Sequence, residues 1–318
     1  MKRANSVPSS PTPRNSLIFI GVTTGQSAAL RLFPRWAAEL GLRGVSLAGC
    51  DLPIHAEPQR YREVVQQIKG GAHERGALIT THKIDLFDAC RDLFDEVDDY
   101  AQLCGETSCL SKHSGRLRAR ATDPLAAGRS FEEFLPKEPC EVLCLGGGGS
   151  AIAITLYLMR REPPSARPSR IKVVDRAQAR LDALRAIHAQ LNSETQVEYV
   201  ANTDPRVNDD LLKGLPPGSL VINATGMGKD TPGSPLTHAG VFPEGSYVWE
   251  LNSRGELDFL HQALAQRRER RLHVHDGWRY FLHGWFTVME EVFDLKIDEE
   301  KFRALATISE SERPTSPR

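Results

Sequence analysis

Neither sign of charge dominates this sequence: 40 Lys and Arg stand against 41 Asp and Glu, for a formal net charge of -1. Proteins that bind nucleic acid through its phosphates carry a basic stripe, often interleaved with aromatics. No such stripe is present, so a nucleic-acid partner is disfavoured. There is no apolar run of the roughly 18 to 20 residues that a bilayer span requires, and no apolar signal-peptide core follows the basic start. These absences lead us to expect a cytoplasmic protein that does not contact membranes. The six cysteines (Cys50, Cys90, Cys104, Cys109, Cys140 and Cys144) show no Cys-x-x-Cys and no Cys/His zinc spacing. They read as reduced thiols, with no metal site. Repeats of solenoid length are lacking too.

What remains is a globular composition, 40% hydrophobic and 25% charged, in a chain of 318 residues, long enough for two ordinary domains. Residues 1 to 16 are rich in Ser, Pro, Asn and basic side chains, and 308 to 318 repeat that flavour. Both stretches are expected to be disordered tails. Between them, strand and helix alternate. Residues 17 to 21 read as a buried strand, 28 to 42 as a helix, 44 to 47 as a second strand and 77 to 81 as a third. Tyr61, Val64, Val65 and Ile68 fall at i, i+3, i+4 and i+7, one apolar face of a helix that Gly70-Gly71 should stop. Residues 117 to 121 have a strand-like lead. Asp123 then reads as the N-cap of a helix with Pro124 at its first position.

The most informative stretch is Glu141-Val-Leu-Cys-Leu-Gly-Gly-Gly-Gly-Ser-Ala-Ile-Ala-Ile154, an apolar run passing through four glycines into another apolar run. It reads as strand, tight turn and helix. Gly146 and Gly148 can make the turn and let backbone N–H groups approach a pyrophosphate, and Ala151 stands where a third glycine would allow close helix packing. Gly146, Gly147, Gly148, Gly149, Ser150 and Ala151 are therefore candidate dinucleotide ligands at a helix N-terminus, where unpaired N–H groups and the dipole favour anions. Asp175 closes the next strand, where a carboxylate can bond the adenosine ribose and repel a 2′-phosphate. Arg176 and Arg180 could instead neutralise that phosphate, so NAD is expected and NADP stays possible. The alternative role for Asp175 is a helix cap. Asn223, Ala224, Thr225, Gly226 and Met227 form a second strand-to-glycine loop at a sheet edge. Further strands are expected at 197 to 200, 247 to 251 and 272 to 275. Trp278, Phe281, Trp285, Val288, Val292 and Phe293 form a stripe along a final helix, read as core.

In order and spacing, the strings Gly-Gly-Gly-Gly-Ser-Ala at 146 to 151, Ile-Asn-Ala-Thr at 222 to 225, Thr-His-Lys at 81 to 83, Thr-Asp at 122 to 123 and Asp-Gly at 276 to 277 resemble the shikimate/quinate dehydrogenase family. The resemblance covers roughly residues 17 to 300. It implies an α/β protein of two domains with its active site in the cleft between them. A substrate domain would span 17 to 122 and a Rossmann-type dinucleotide-binding domain 123 to 275, with a C-terminal helical segment, 276 to 307, returning to the first domain. It also implies an oxidoreductase with NAD or NADP and a small-molecule substrate, working as a monomer or homodimer. In that family a Lys and an Asp act together at the hydroxyl being oxidised, and they match Lys83 and Asp123. Gly277 matches a position at the nicotinamide. A positioned amine can take the hydroxyl proton as a hydride leaves the carbon.

The substrate half departs from the family. Its His-Ser-x-Ser-Pro string appears as Gln26-Ser27-Ala28-Ala29-Leu30, so one serine, Ser27, survives. A substrate-binding Thr falls on Ile79 and an Asn on Ser108. A Tyr-containing segment becomes Leu251-Asn-Ser-Arg-Gly255, and a Gln on the last helix becomes Gly284. Arg254 or His283 could serve a relocated anion; the plainer readings are a surface Arg and an ordinary helix His. Losing several donors while keeping the catalytic pair points away from shikimate as best substrate. Two other readings stay open: a regulatory protein that binds the dinucleotide or a metabolite without turnover, and an oxidoreductase for a folate-like or amino-substituted ring.

Overall fold

The computed structural model describes residues 15–136, 138, 140–229 and 231–314. It divides into two compact units: one of residues up to 101, 105–120 and 288–312, the other of 102–104, 121–287 and those from 313 on.

The first unit runs β1 (Asn15–Gly21), α1 (Ala28–Glu39), β2 (Val45–Asp51), α2 (Pro58–Gly70), β3 (Glu74–Ile79), α3 (Lys83–Cys90), β4 (Glu96–Val97), α4 (Asp99–Cys104), β5 (Cys109–His113) and β6 (Arg116–Arg120). Its sheet has the order β2-β1-β3-β5-β6-β4. β1, β2 and β3 are parallel to one another, as helical crossovers require. β5 is antiparallel to both neighbours. The expected α2 face packs as its spacing predicts: Tyr61, Val65 and Ile68 are buried with Ile20, Ile79, Leu86 and Leu110, and Val64 packs against them half-buried.

The β5–β6 hairpin goes beyond the strand-like lead read from the sequence. Ser114 and Gly115 have φ +49° and +77°, so a two-residue turn with both dihedrals positive joins His113 to its partner Arg116. Leu117 and Ala119 point into the core, and the arginines that alternate with them meet carboxylates: Arg118 bonds Glu96 at 2.7 Å and Arg120 bonds Asp98 at 3.1 Å.

The second unit runs α5 (Asp123–Glu132), β7 (Val142–Leu145), α6 (Gly149–Arg160), β8 (Arg170–Asp175), α7 (Gln178–His188), β9 (Gln196–Ala201), α8 (Pro205–Lys213), β10 (Leu220–Asn223), β11 (Tyr247–Glu250), α9 (Asp258–Gln266) and β12 (His273–His275). Its six strands are all parallel, in the order β12-β11-β10-β7-β8-β9, which is a doubly wound, Rossmann-type sheet. Central strands of such a sheet are covered on both faces, and every residue of β7 and β10 is buried. The strand order reverses between β7 and β10. Helix α5 begins one residue earlier than the sequence suggests, with Thr122 at the N-cap and Asp123 as the first helical residue.

The chain ends in α10 (Trp278–Phe293) and α11 (Glu299–Ser309). The division between the units falls within α10, after Thr287. The expected stripe is core at Trp278, Trp285, Val288 and Val292, while Phe281 and Phe293 are half-buried. Residues 1–14 and 315–318 of the expected tails lie outside the described residues, but the remainder is structured. Asn15 and Ser16 open β1, bonded to Gly44 and His73. At the other end α11 continues through Ser309 into a further helical turn, Glu310–Glu312. Side-chain anchors explain this: Trp36 Nε1 donates to Ser309 Oγ at 2.8 Å, and Arg31 pairs with Glu312 at 2.7 Å.

In the described residues no helix is long and apolar enough to cross a membrane, and all six cysteines are free thiols. Burial pushes the thiols of Cys90 and Cys144 up to about 12, so neither supplies a thiolate near neutrality.

A buried polar chain ties α6, α7 and β9 together. His188 Nε2 lies 2.7 Å from Thr155 Oγ1, His188 Nδ1 lies 2.8 Å from Tyr199 Oη, and Thr155 Oγ1 donates to Ala151 O at 2.7 Å. A neutral imidazole, donating from Nε2 and accepting at Nδ1, satisfies every group. Burial lowers the His188 pKa to about 4, below its ordinary 6.5. The unfolded chain therefore binds the proton more readily than the native one. Stability from this group is complete above about 6.5 and is lost as pH falls toward 4, to the extent of roughly 3 kcal/mol. Urea unfolding at pH 7 and pH 4.5 should show a smaller acid loss for His188→Gln than for the wild type; equal losses would assign the acid sensitivity elsewhere.

Candidate active site

The glycine turn sits at the C-terminal end of β7, where the sheet order reverses and open α/β sheets bind ligands. Gly146 has φ +113°, a region that L side chains rarely adopt, and a Cβ there would lie 2.6 Å from the Ala224 carbonyl oxygen. Glycine is required at 146 on both counts. The same contact brings the two sequence-predicted loops, 146–151 and 223–227, against each other. Gly148 is the N-cap of α6, with Gly149 and Ser150 in its first turn. Ala151 is fully buried, as its predicted role in close packing demands.

Asp175 ends β8 beside this turn. One carboxylate oxygen accepts from Gly147 N at 2.7 Å and the other from Ala177 N at 2.8 Å, so Asp175 braces the turn and caps the backbone after its own strand. Arg180 Nη1 is 3.8 Å from Asp175, and both Arg180 and Arg176 are exposed.

The second loop is built on amide side chains. Asn223, at the end of β10, accepts from Thr225 N at 3.1 Å and from Thr225 Oγ1 at 2.6 Å, folding the chain back on itself. Its amide donates to Glu250 Oε2 at 2.7 Å. Glu250 Oε1 accepts from Asn252 N at 2.7 Å, and Asn252 Nδ2 reaches the carbonyls of Thr225 and Met227 at 3.2 and 3.1 Å. Glu250 is wholly buried, and burial pushes its pKa up to about 7 against the hydrogen bonds that lower it. Neither Glu250 nor Asn252 is among the residues singled out from the sequence. The available signal is an acid closing the buried strand Tyr-Val-Trp-Glu, in register with Asn223. Gly277 belongs to the same region, since a Cβ there would lie 2.1 Å from the Leu251 carbonyl oxygen.

In the first unit, four expected residues gather at one end of its sheet. Ser27, at the N-cap of α1 after β1, accepts from Ala29 N at 3.3 Å. Ile79 ends β3, and its N–H donates to the Ser108 carbonyl at 2.9 Å. The Ile79 side chain is core and only 1% exposed, and Ser108 is buried too. Lys83 opens α3, half-buried. Asp123 opens α5 in the second unit, also half-buried. Of the two guessed anion ligands, Arg254 is exposed on the loop after β11. His283 is buried in α10, with Nε2 taken by Glu133 at 2.6 Å, a carboxylate that Arg279 also holds at 2.7 Å. Among the described residues, no group of three or more His, Cys, Asp or Glu could hold a metal ion.

This arrangement defines a class: a two-unit α/β protein whose second unit carries a dinucleotide-type glycine turn at its switch point. No protein-family model matches the chain. A shikimate dehydrogenase (NADP(+)) of Lactococcus lactis is 32% identical over 174 residues, covering 54% of this chain and 59% of that relative's length. Two solved structures share the fold along nearly the whole chain. Quinate dehydrogenase from Corynebacterium glutamicum in complex with NAD gives a TM-score of 0.72 at 22% identity, covering 92% of this chain and 98% of its own. The 5-ketofructose reductase of Gluconobacter sp. strain CHM43 also gives 0.72, at 19% identity, covering 94% and 98%. The chain is thus similar in sequence to a shikimate dehydrogenase over about half of its length, and in fold to a quinate dehydrogenase and a 5-ketofructose reductase.

Replacement of the glycines separates their roles. Gly146→Ala meets both the carbonyl and the dihedral restriction and is expected to cost roughly 2 to 4 kcal/mol in urea unfolding. Gly148→Ala, with a negative φ and nothing within 4 Å of the added Cβ, is expected to cost less than about 1 kcal/mol. Similar losses at the two positions would contradict the close approach of the loops.

Proposed function

We propose that this chain is an NAD(P)-dependent oxidoreductase interconverting a ring hydroxyl and a ketone on a cyclic polyol or hydroxy acid, with shikimate not its best substrate. The observation that carries the reading is the built nucleotide half: the Gly146 turn, the α6 N-terminus and the 223–227 loop, packed together at the switch point. The names of the relatives agree with it, since they include dehydrogenases for shikimate and quinate and a reductase for a keto sugar.

A nicotinamide dinucleotide supplies a hydride acceptor or donor when bound. Gly146 to Ala151 would hold its pyrophosphate, and Asn223 to Met227 with Gly277 would flank its nicotinamide. Asp175 would meet the adenosine ribose. NAD is favoured because a carboxylate disfavours a 2′-phosphate, and Arg176 and Arg180 leave NADP accessible. At the substrate, Lys83 takes the hydroxyl proton during oxidation and returns it during reduction, and Asp123 is the second residue assigned to that proton transfer.

The substrate preference follows from polarity. Ile79 is a core side chain where the family's pattern places a hydroxyl, and Ala29 replaces one of a pair of serines, so fewer donors meet a hydroxylated acid. Steady-state assays over a panel of cyclic acids and polyols, with either nucleotide, should rank shikimate below the best substrate in kcat/KM. Shikimate ranking first would contradict the preference, and nucleotide binding with no turnover across the panel would favour a sensor. Lys83→Ala is expected to lower kcat about 10²- to 10⁴-fold with nucleotide affinity unchanged; an active variant would remove Lys83 from the mechanism.

A further inference from the structure

The residue in the nucleotide half that the proposed function leaves without a task is Glu250. It has no exposed surface, and each of its two oxygens starts a separate arm of hydrogen bonds that reaches Thr225. One arm runs from Oε2 to the Asn223 amide at 2.7 Å, and from Asn223 Oδ1 to the N–H and hydroxyl of Thr225 at 3.1 and 2.6 Å. The other runs from Oε1 to Asn252 N at 2.7 Å, and from Asn252 Nδ2 to the carbonyls of Thr225 and Met227 at 3.2 and 3.1 Å.

The chemistry of the first arm is directional. An ionised carboxylate only accepts, so it fixes which way the Asn223 amide is turned: NH₂ toward Glu250, carbonyl toward Thr225. With a proton on Oε2, a donor would face the Asn223 NH₂. Turning the amide over would relieve that clash only by setting the NH₂ against the Thr225 N–H. Either way a buried donor is left opposed and the loop loses one of its two ties.

We propose that Glu250 is a positioning residue whose carboxylate form holds the 225–227 loop in the shape that accepts the dinucleotide. This rests on the nucleotide-binding reading above and adds to it a pH dependence of binding. Burial places the change of state near pH 7. The charge acting on Glu250 is Lys229, in the loop after β10, which favours the carboxylate. On the neighbouring strand β12, His275 pairs with Trp249, and burial moves its pKa down, away from this window.

Glu250 is ionised above about pH 7 and protonated below it. If only the ionised form binds, the competent fraction falls about tenfold from pH 8 to pH 6, and the apparent Kd rises about tenfold.

Fluorescence titration with NADH at pH 6, 7 and 8 tests this, since NADH lacks the 2′-phosphate that titrates near pH 6. The wild type should weaken about tenfold from pH 8 to pH 6. Glu250→Gln, permanently uncharged and presenting an NH₂ to Asn223, should bind at least tenfold more weakly than wild type at pH 8 and show a flat profile. Glu250→Asp, which keeps the charge, should restore a pH-dependent profile. A wild-type Kd that is flat across this range, or a Glu250→Gln variant with wild-type affinity and profile, would overturn the proposal. The wild-type profile decides by itself if the variants do not fold. Absence of binding by both NADH and NADPH at every pH would overturn the nucleotide reading itself, and the role of Glu250 with it.

Discussion

The contact on which the second unit's site depends is between two stretches of backbone. At Gly146 the chain turns with a positive φ, and the Ala224 carbonyl occupies the place where a side chain on residue 146 would stand. That approach is possible because β7 and β10 are adjacent and parallel, so their C-terminal ends deliver both loops to one point. From there the construction is polar. Asp175 braces Gly147, Asn223 folds the second loop, and Glu250 sets the direction of the Asn223 amide. Each brace uses a buried or nearly buried group with its hydrogen bonds satisfied, which stiffens a loop region that backbone alone would leave soft.

The parallel sheet was the most legible part of the sequence, because strands covered on both faces must be apolar along their length. Val142–Leu145 and Leu220–Asn223 read that way at once. The α2 face of Tyr61, Val65 and Ile68 was legible from helical spacing. What escaped depends on partners distant in sequence. The outward arginines of β6 make sense only beside Glu96, Asp98 and Glu291, the last more than 170 residues away. Ser309 and Glu312 look like tail composition until Trp36 and Arg31 reach them. Glu250 is an acid at the end of an apolar strand, and only the register with Asn223 reveals its use.

The candidate site divides in the same way. The glycine turn, Asp175 and the 223–227 loop were readable because backbone geometry demands particular residue types. The substrate side was read by position against a family pattern, and position does not report burial. Ile79 falls at a ligand position by that pattern yet is a core side chain of the first unit, and His283 is engaged by Glu133. Lys83 and Asp123 are the residue types that the proposed proton transfer requires, whereas Ile79 and Ala29 stand where the family pattern has hydroxyls. The proposed preference for a ring other than shikimate rests on that difference.

The glycine turn and the 223–227 loop are proposed together to form a dinucleotide site. Amide hydrogen exchange measured with and without NADH tests it most directly, because a bound nucleotide would cover or immobilise the N–H groups of both loops. Slowed exchange is expected in both the 147–151 and the 225–228 segments on adding NADH, with little change across the β5–β6 hairpin. Unchanged exchange in both loops at saturating NADH, or protection confined to another region, would contradict it.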